Sequence, residues 1–362
     1  MIKIIDKYLI KQFLYTIFFA LLAFIVIFVI IDLMEKLDDF IDNGVNNEIV
    51  FRYYYSLIPE IVRLMLPVSV LLSALFTVGK LSNTNEVTAL KSSGMSFMRF
   101  AAPFIVTTFF ISLFSVYFGG YVVPQANKER IYIEQNYLKI GIKRANRNIY
   151  FQDSPTRIVK IRYFEPKKQI ANKISIQQFD PRDITRLVMR LDAPKMKYDT
   201  AKNAWIVYDG VKRIFNGNKD SLIFFGSTEI DSLNFKPDEV LRKQRKPQEF
   251  TLSELKESIA DLKRSGNDPV RLEIEYHSRI AFAWASLITL LFGLPISVNR
   301  RGSGLALQIG INLLITFVYL AFMQISQAFG KNGALNPFIT AWLANFVFLV
   351  GAIVNMYRAQ KS

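Results

Sequence analysis

The chain has 362 residues, 51% of them hydrophobic, yet 45 Lys and Arg against 30 Asp and Glu leave it with a formal charge of +15. That mixture excludes an ordinary soluble domain and indicates separate membrane and aqueous parts. With no Cys and a single His, His277, it also excludes disulfide frameworks, thiol chemistry and His-rich metal sites.

Ile2 to Thr16 carry Lys3, Lys7 and Lys11, and Ile17 to Ile31 then run without a charge. From Leu9 onward, with one Lys able to snorkel, this reaches the roughly 20 residues a bilayer requires, so it is the first span. A signal peptide is disfavoured, because the run ends in Asp32-Leu33-Met34-Glu35 and not in small residues at a cleavage site. An acidic loop is expected next, with Asp32, Glu35, Asp38, Asp39, Asp42 and Glu48 against Lys36 and Arg52. The second span is read over about Leu57 to Val78 and the third over about Ala101 to Val123. Pro59 and Pro67 are tolerable inside a membrane helix, and Arg63 should face protein or water.

Between these spans lies a polar island, Lys80 to Arg99. Asn83 followed by Glu86 has capping-box spacing, Val87, Leu90 and Lys91 recur at helical intervals, and Gly94 supplies a stop. A short helix is expected there. One reading makes it a coupling helix and another a capped turn that only reverses the chain; a helix this short needs its neighbours to hold it either way.

From Pro124 to Tyr276 no run is apolar enough to span. Short alternating segments take over at Ile149 to Gln152, Thr156 to Tyr163, Lys173 to Phe179, Arg186 to Leu191, Ala204 to Tyr208 and Leu222 to Phe225, with a hairpin turn at Asp199 to Asn203. Their spacing predicts an all-β sandwich or jellyroll. Most of the chain's Lys and Arg fall here, which a solvated β surface explains without any ligand. Thr251-Leu-Ser-Glu254 then opens an amphipathic helix with Leu252, Leu255, Ile259 and Leu262 on one stripe, ending at Ser265-Gly266. Three further spans follow over about Ile280 to Val298, Leu305 to Ala328 and Pro337 to Met356.

The expected fold is an α-helical integral membrane protein with six spans, three on each side of an inserted β-jellyroll. The division is 1–123 with a coupling helix at 83–92, 124–250 for the β domain, 251–276 for a connecting helix and 277–362 for the last spans. Lys3, Lys7, Lys11, Lys80, Lys91, Arg99, Arg300, Arg301, Arg358 and Lys361 fall on one side of the membrane, where Asp6 and Glu86 are the acidic residues. By the positive-inside rule both termini and the coupling helix are cytoplasmic, and the β domain lies across the membrane. No GxxxxGK[ST], HExxH or GxSxG motif is present, so neither P-loop ATP hydrolysis nor those hydrolase chemistries are expected. Nucleic-acid binding is not expected either, because the aromatic residues alternate as strand core and do not cluster for stacking.

Gly79-Lys-Leu-Ser82 and Ser93-Gly-Met-Ser96 around the polar island resemble the LptF/LptG (YjgP/YjgQ) permeases of lipopolysaccharide export. So do Arg279-Ile-Ala281, Leu294-Pro-Ile-Ser297, Arg300-Arg-Gly-Ser-Gly304 and Gly333-Ala-Leu-Asn-Pro337 with Trp342 and Asn345. The order of three helices, jellyroll and three helices is similar too, so the resemblance covers essentially the whole chain. Leu262-Lys-Arg-Ser-Gly266 before Glu275 brings it nearer the G branch.

The resemblance implies a subunit of an ABC exporter in the bacterial inner membrane that extracts lipopolysaccharide. It would have no cofactor of its own, because ATP and Mg would be bound by a separate LptB-like ATPase dimer. The other implied partners are a homologous LptF-like subunit and LptC/LptA-like periplasmic jellyroll proteins. The family's coupling helix maps to Asn83, Asn85, Glu86, Val87, Ala89, Leu90 and Lys91, with Glu86 as the charged contact and Val87, Ala89 and Leu90 as the packing face. Lys36, Arg52, Arg63, Lys128 and Arg130 are the candidates for lipid phosphates, against the plainer role of anchoring helix ends.

One departure is that enterobacterial members of the G branch carry lysines where this chain has Asp32, Glu35, Asp38 and Asp39. Phosphates would meet repulsion there unless divalent cations bridge them. Ile149 to Gln152 and Thr156 to Tyr163 are candidates for a groove taking acyl chains, or for ordinary core. A mechanotransmitting or regulatory membrane protein that moves no lipid is the alternative, and an apolar cavity between the first and fifth spans would separate the two readings. A membrane-anchored enzyme is a third, with no acid/base cluster to support it.

Overall fold

The structure, a computed structural model, describes residues 3–140, 147–165, 168–216, 219–230, 233, 235–237, 240, 245–298, 305–333 and 335–361. Arg300, Arg301, the rest of the 300–304 motif and Ala334 lie outside the described residues. The chain divides into two compact units, one of Met1–Leu138, Gln248–Leu255 and Val270–Ser362, the other of Lys139–Pro247 and Lys256–Pro269.

The first unit is helical, with α1 at Ile4–Asp42, α2 at Asn47–Asn83, a short α3 at Glu86–Ser92 and α4 at Phe97–Tyr117. A π-turn over Phe118–Val122 joins α4 to α5, Val123–Asn136, as one continuous rod. Pro124 explains the turn. It has no N–H for the carbonyl four residues back, and the Val123 N–H instead reaches the Phe118 carbonyl. The described residues hold six helices or helix runs long and apolar enough to cross a membrane, at 4–42, 47–83, 97–136, 270–298, 306–331 and 337–360.

Several boundaries differ from the sequence expectation. The acidic stretch after the first span is no loop, because nothing between Asp32 and Asp42 breaks the helix. α1 stops only at Asn43-Gly44, where Gly44 takes φ +60°. The third span runs on to Asn136, so Pro124 is inside a helix and the β region begins at Arg147. The fourth span starts at Val270 and not near Ile280. Its early polar residues find partners within the chain. Arg279, 8% exposed, donates to Glu275 at 2.9 Å and to the Phe250 carbonyl, and His277 stands edge-on to the Tyr276 and Phe338 rings.

The remaining helices are α6 at Leu252–Arg264, α7 at Val270–Ala283, α8 at Ala285–Val298, α9 at Leu305–Lys331 and α10 at Pro337–Lys361. The capping box read at Thr251 and Glu254 is present. The Thr251 N–H donates to Glu254 at 2.8 Å, and the Glu254 N–H donates to the Thr251 hydroxyl at 3.3 Å.

The second unit carries a six-stranded antiparallel meander in which each strand pairs with the next. The strands are β1 Arg147–Ser154, β2 Arg157–Glu165, β3 Ile170–Phe179, β4 Leu187–Asp199, β5 Ala204–Asn216 and β6 Lys219–Ile230. Among the described residues this is one sheet and not a two-sheet sandwich. Its inner face is covered by the chain that follows β6, where Phe235 and Val240 join the core and the Trp205 indole N–H donates to the Phe235 carbonyl at 2.8 Å. Ile149, Phe151, Val159 and Ile161, the proposed acyl groove, are all buried in that core. The Asp199 to Asn203 turn forms as expected, with the Asp199 carboxylate accepting from the Ala201 N–H.

Candidate functional site

The polar island is built differently from the expected capping box. α2 has no breaker before Asn83, so Asn83 ends that helix and does not cap α3. The Thr84 hydroxyl interacts with the Lys80 carbonyl at 3.1 Å and the Glu86 carboxylate at 2.9 Å, and Asn85 takes the left-handed conformation at φ +60°. Among non-glycine residues Asn adopts that conformation most easily. Gly94, at φ +82°, ends the segment, and the Ser96 hydroxyl then caps α4 through the Arg99 N–H.

α3 is therefore seven residues long and two-faced. Val87 is buried, and Leu90 packs beside Met95, Phe97, Phe100 and Val298. Of the three residues assigned to a packing face, only Ala89 is exposed; Val87 and Leu90 turn into their own chain because i and i+3 share a helix face. Asn83 and Asn85 are exposed and Glu86 is half-buried. The backbone of Lys91 is helical, and its side chain lies outside the described residues.

The five basic candidates lie toward the opposite ends of the spans, and each faces a carboxylate. Lys36 pairs with Asp32 at 3.2 Å and Glu134 at 3.3 Å, and its ammonium also donates to the Tyr53 hydroxyl. Arg130 approaches the same Glu134 at 4.0 Å, so these two cations share one anion. Arg63 pairs with Glu60 at 2.5 Å and lies over the Phe282 ring, facing protein as expected. Lys128 binds Glu254 at 2.9 Å. Burial alone would raise the Glu254 carboxyl, but the Thr251 N–H, the Lys128 ammonium and the Thr251 hydroxyl hold it below the usual carboxylate range.

Arg52 stands apart. Its pair with Glu129, at 2.6 Å, is the most exposed of the five sets, with side chains 57% and 40% accessible. Both residues line a cavity of about 1020 Å³ whose walls are mainly Phe51, Tyr55, Ile58, Val62, Phe118 and Val122. That cavity lies between α2 and the α4–α5 rod, not between the first and fifth spans. Among the described residues no cluster of three or more acidic or His side chains could hold a metal ion.

The carboxylate partners went unassigned in the sequence. Asp32–Lys36, Glu60–Arg63 and Arg130–Glu134 stand at i,i+3 or i,i+4, a spacing that could have revealed them. Lys36–Glu134 and Lys128–Glu254 join residues far apart in the chain and leave no such trace.

The description "Lipopolysaccharide export system permease LptF/LptG" matches residues 7–358. Two relatives from Escherichia coli, one from a K-12 strain and one from an O6:H1 strain, are named "Lipopolysaccharide export system permease protein LptG". Each is 21% identical over 352 residues, covering 96% of this chain and 96% of its own. With six membrane-length apolar spans around an inserted antiparallel sheet, the chain belongs to the LptF/LptG family of lipopolysaccharide export permeases and is a multi-pass inner-membrane transport subunit.

Proposed function

We propose that this chain is the LptG-like half of an ABC exporter that draws lipopolysaccharide from the inner membrane and hands it to a periplasmic bridge. An LptB-like ATPase dimer, carrying ATP and Mg, docks on α3. A homologous LptF-like subunit completes the membrane part, and LptC/LptA-like jellyroll proteins receive the lipid. Both termini and α3 are cytoplasmic, and the sheet is periplasmic.

The observation that carries this reading is α3 itself. It is a single short helix hung between the ends of two spans, with an apolar face docked into its own bundle and an opposite face left bare at Thr88, Ala89 and Ser92. A helix so held passes a push on its bare face to both spans as a rigid-body shift. An outside engine is required, because exposing acyl chains costs about 0.8 kcal/mol per CH₂.

The geometry also sorts the lipid candidates. Lys36 and Lys128 join separate helices and Arg63 and Arg130 pair within their own, and all four would strand largely shielded carboxylates if they turned to a phosphate. Arg52 would not. An exposed pair is worth about 0.2–1 kcal/mol, little enough for a lipid phosphate at the cavity mouth to displace Glu129.

Ala89→Lys tests the docking surface, since Lys is a good helix former and the position is exposed. The expected result is that the permease still accumulates in the membrane but no longer co-purifies with the ATPase. Full recovery of the ATPase with this variant overturns the assignment of α3.

A further inference from the structure

α1 is gripped most closely near its ends. Of its 39 residues the buried ones are Asp6, Leu9, Phe13, Ile17 and Phe40, and none between positions 18 and 39 is buried. At about 1.5 Å per residue this is a rod near 58 Å long, gripped at its foot and near its far end. The far grip is the Lys36, Asp32, Tyr53 and Glu134 cluster beside Phe40.

The foot is gripped by groups on the other side of the polar island. Asp6, 8% exposed, accepts from the Lys3 N–H at 2.9 Å and from the Arg99 guanidinium at 2.8 Å through the same oxygen, Oδ2. Its other oxygen is buried with no hydrogen-bond partner, so Arg99 supplies the countercharge that makes this buried carboxylate tolerable. Arg99 stands in the first turn of α4, directly after α3. Leu9 and Phe13 continue into the apolar cluster that takes Val87, Phe100 and Phe104, with the Phe13 and Phe104 rings 5.1 Å apart.

We infer that Asp6 and Arg99 are positioning residues that, with the apolar cluster joining Leu9 and Phe13 to Val87, clasp the foot of α1 to α3 and α4, so that a displacement of α3 is delivered to α1 as well as to the two spans covalently joined to it. This rests on the reading of α3 as the docking helix. Its consequence is specific: the span with the longest bare flank is the one driven at its foot.

The test uses the complete transporter with its ATPase in lipid nanodiscs. The chain has no Cys, so cysteines placed at Phe19 and Phe110, both exposed, give this subunit a unique pair of spin-label sites. In the otherwise unaltered protein, nucleotide binding is expected to shift the distance between them. Asp6→Arg should abolish that shift and cut lipid released per ATP by about tenfold, while the ATPase stays bound. Pairing it with Arg99→Asp rebuilds the clasp with its charges exchanged and should restore both readouts.

Arg99→Gln carries the same test if Asp6→Arg fails to accumulate. An unchanged distance shift and unchanged release per ATP in the single variants overturn the clasp. If Ala89→Lys nevertheless strips the ATPase, the docking assignment survives and the clasp alone is lost.

Discussion

α1 and α2 are nearly the same length, 39 and 37 residues, and both are apolar enough to span, yet they meet their surroundings in opposite ways. In the most apolar stretch of α1 only 6% of residues are buried within the chain, against 56% in α2. The more apolar helix is the less buried one. α2 instead carries Ser69, Ser73, Ala74, Thr77 and Gly79 on its buried side, small residues that let helices approach closely where lipid supplies no hydrophobic drive. Small side chains thus line much of the inner side of α2, while large ones such as Phe18, Phe19, Ile27 and Phe28 cover the outer flank of α1.

A matched substitution breaks that comparison most sharply. Leu75 in α2 is fully buried, and Leu75→Ala leaves a void among neighbours that cannot close it. The transfer component largely cancels when the unfolded helix remains in lipid, so the loss is set by the cavity and missing contacts. A destabilisation of about 2 kcal/mol, the lower end of the range for soluble cores, is expected as a lower unfolding midpoint in detergent.

A smaller effect is expected outside the membrane, at the capping box of α6. Glu254→Ala removes the acceptor for the Thr251 N–H and the partner of Lys128, and should cost about 1 kcal/mol. The sign of its pH dependence follows from the lowered carboxyl. The stabilisation is fully present above the unfolded-state value of an ordinary Glu and is lost as pH falls through the lower, folded-state value. Thermal midpoints of parent and variant should therefore converge under acid and separate toward neutrality. A constant difference across that range would assign the cap to packing and not to charge.

The six spans and six strands were legible because hydrophobic period and run length are written locally. The ends of the helices were less so. Asp38, Asp39 and Asp42 look like a loop because they are acidic, but a charged sequence without Gly or Pro continues a helix already nucleated. Asn83 looked like a start because Asn caps helices, and it is an end because α2 arrives there unbroken. In the candidate site the charges were visible and their partners were not. Lys36 finds Glu134 and Asp6 finds Arg99 only after folding brings three helices together. The two-faced character of α3 was half visible, since the spacing of Val87 and Leu90 defines an apolar face without saying whether that face meets its own chain or another.

The smallest expected effect is the most informative about α1. Leu22 is 47% exposed in the bare flank, so Leu22→Ala removes contacts with lipid or detergent and few within the chain. The unfolding midpoint of the isolated subunit should move by less than about 0.5 kcal/mol, in contrast to the matched change at Leu75. The same pair measured in the assembled transporter separates two explanations for a flank so apolar. If the flank meets only lipid, Leu22→Ala stays silent in the complex. If it receives a span of the partner subunit, the variant lowers the complex's midpoint while leaving the lone chain unaffected, because the contacts it removes then belong to the assembly.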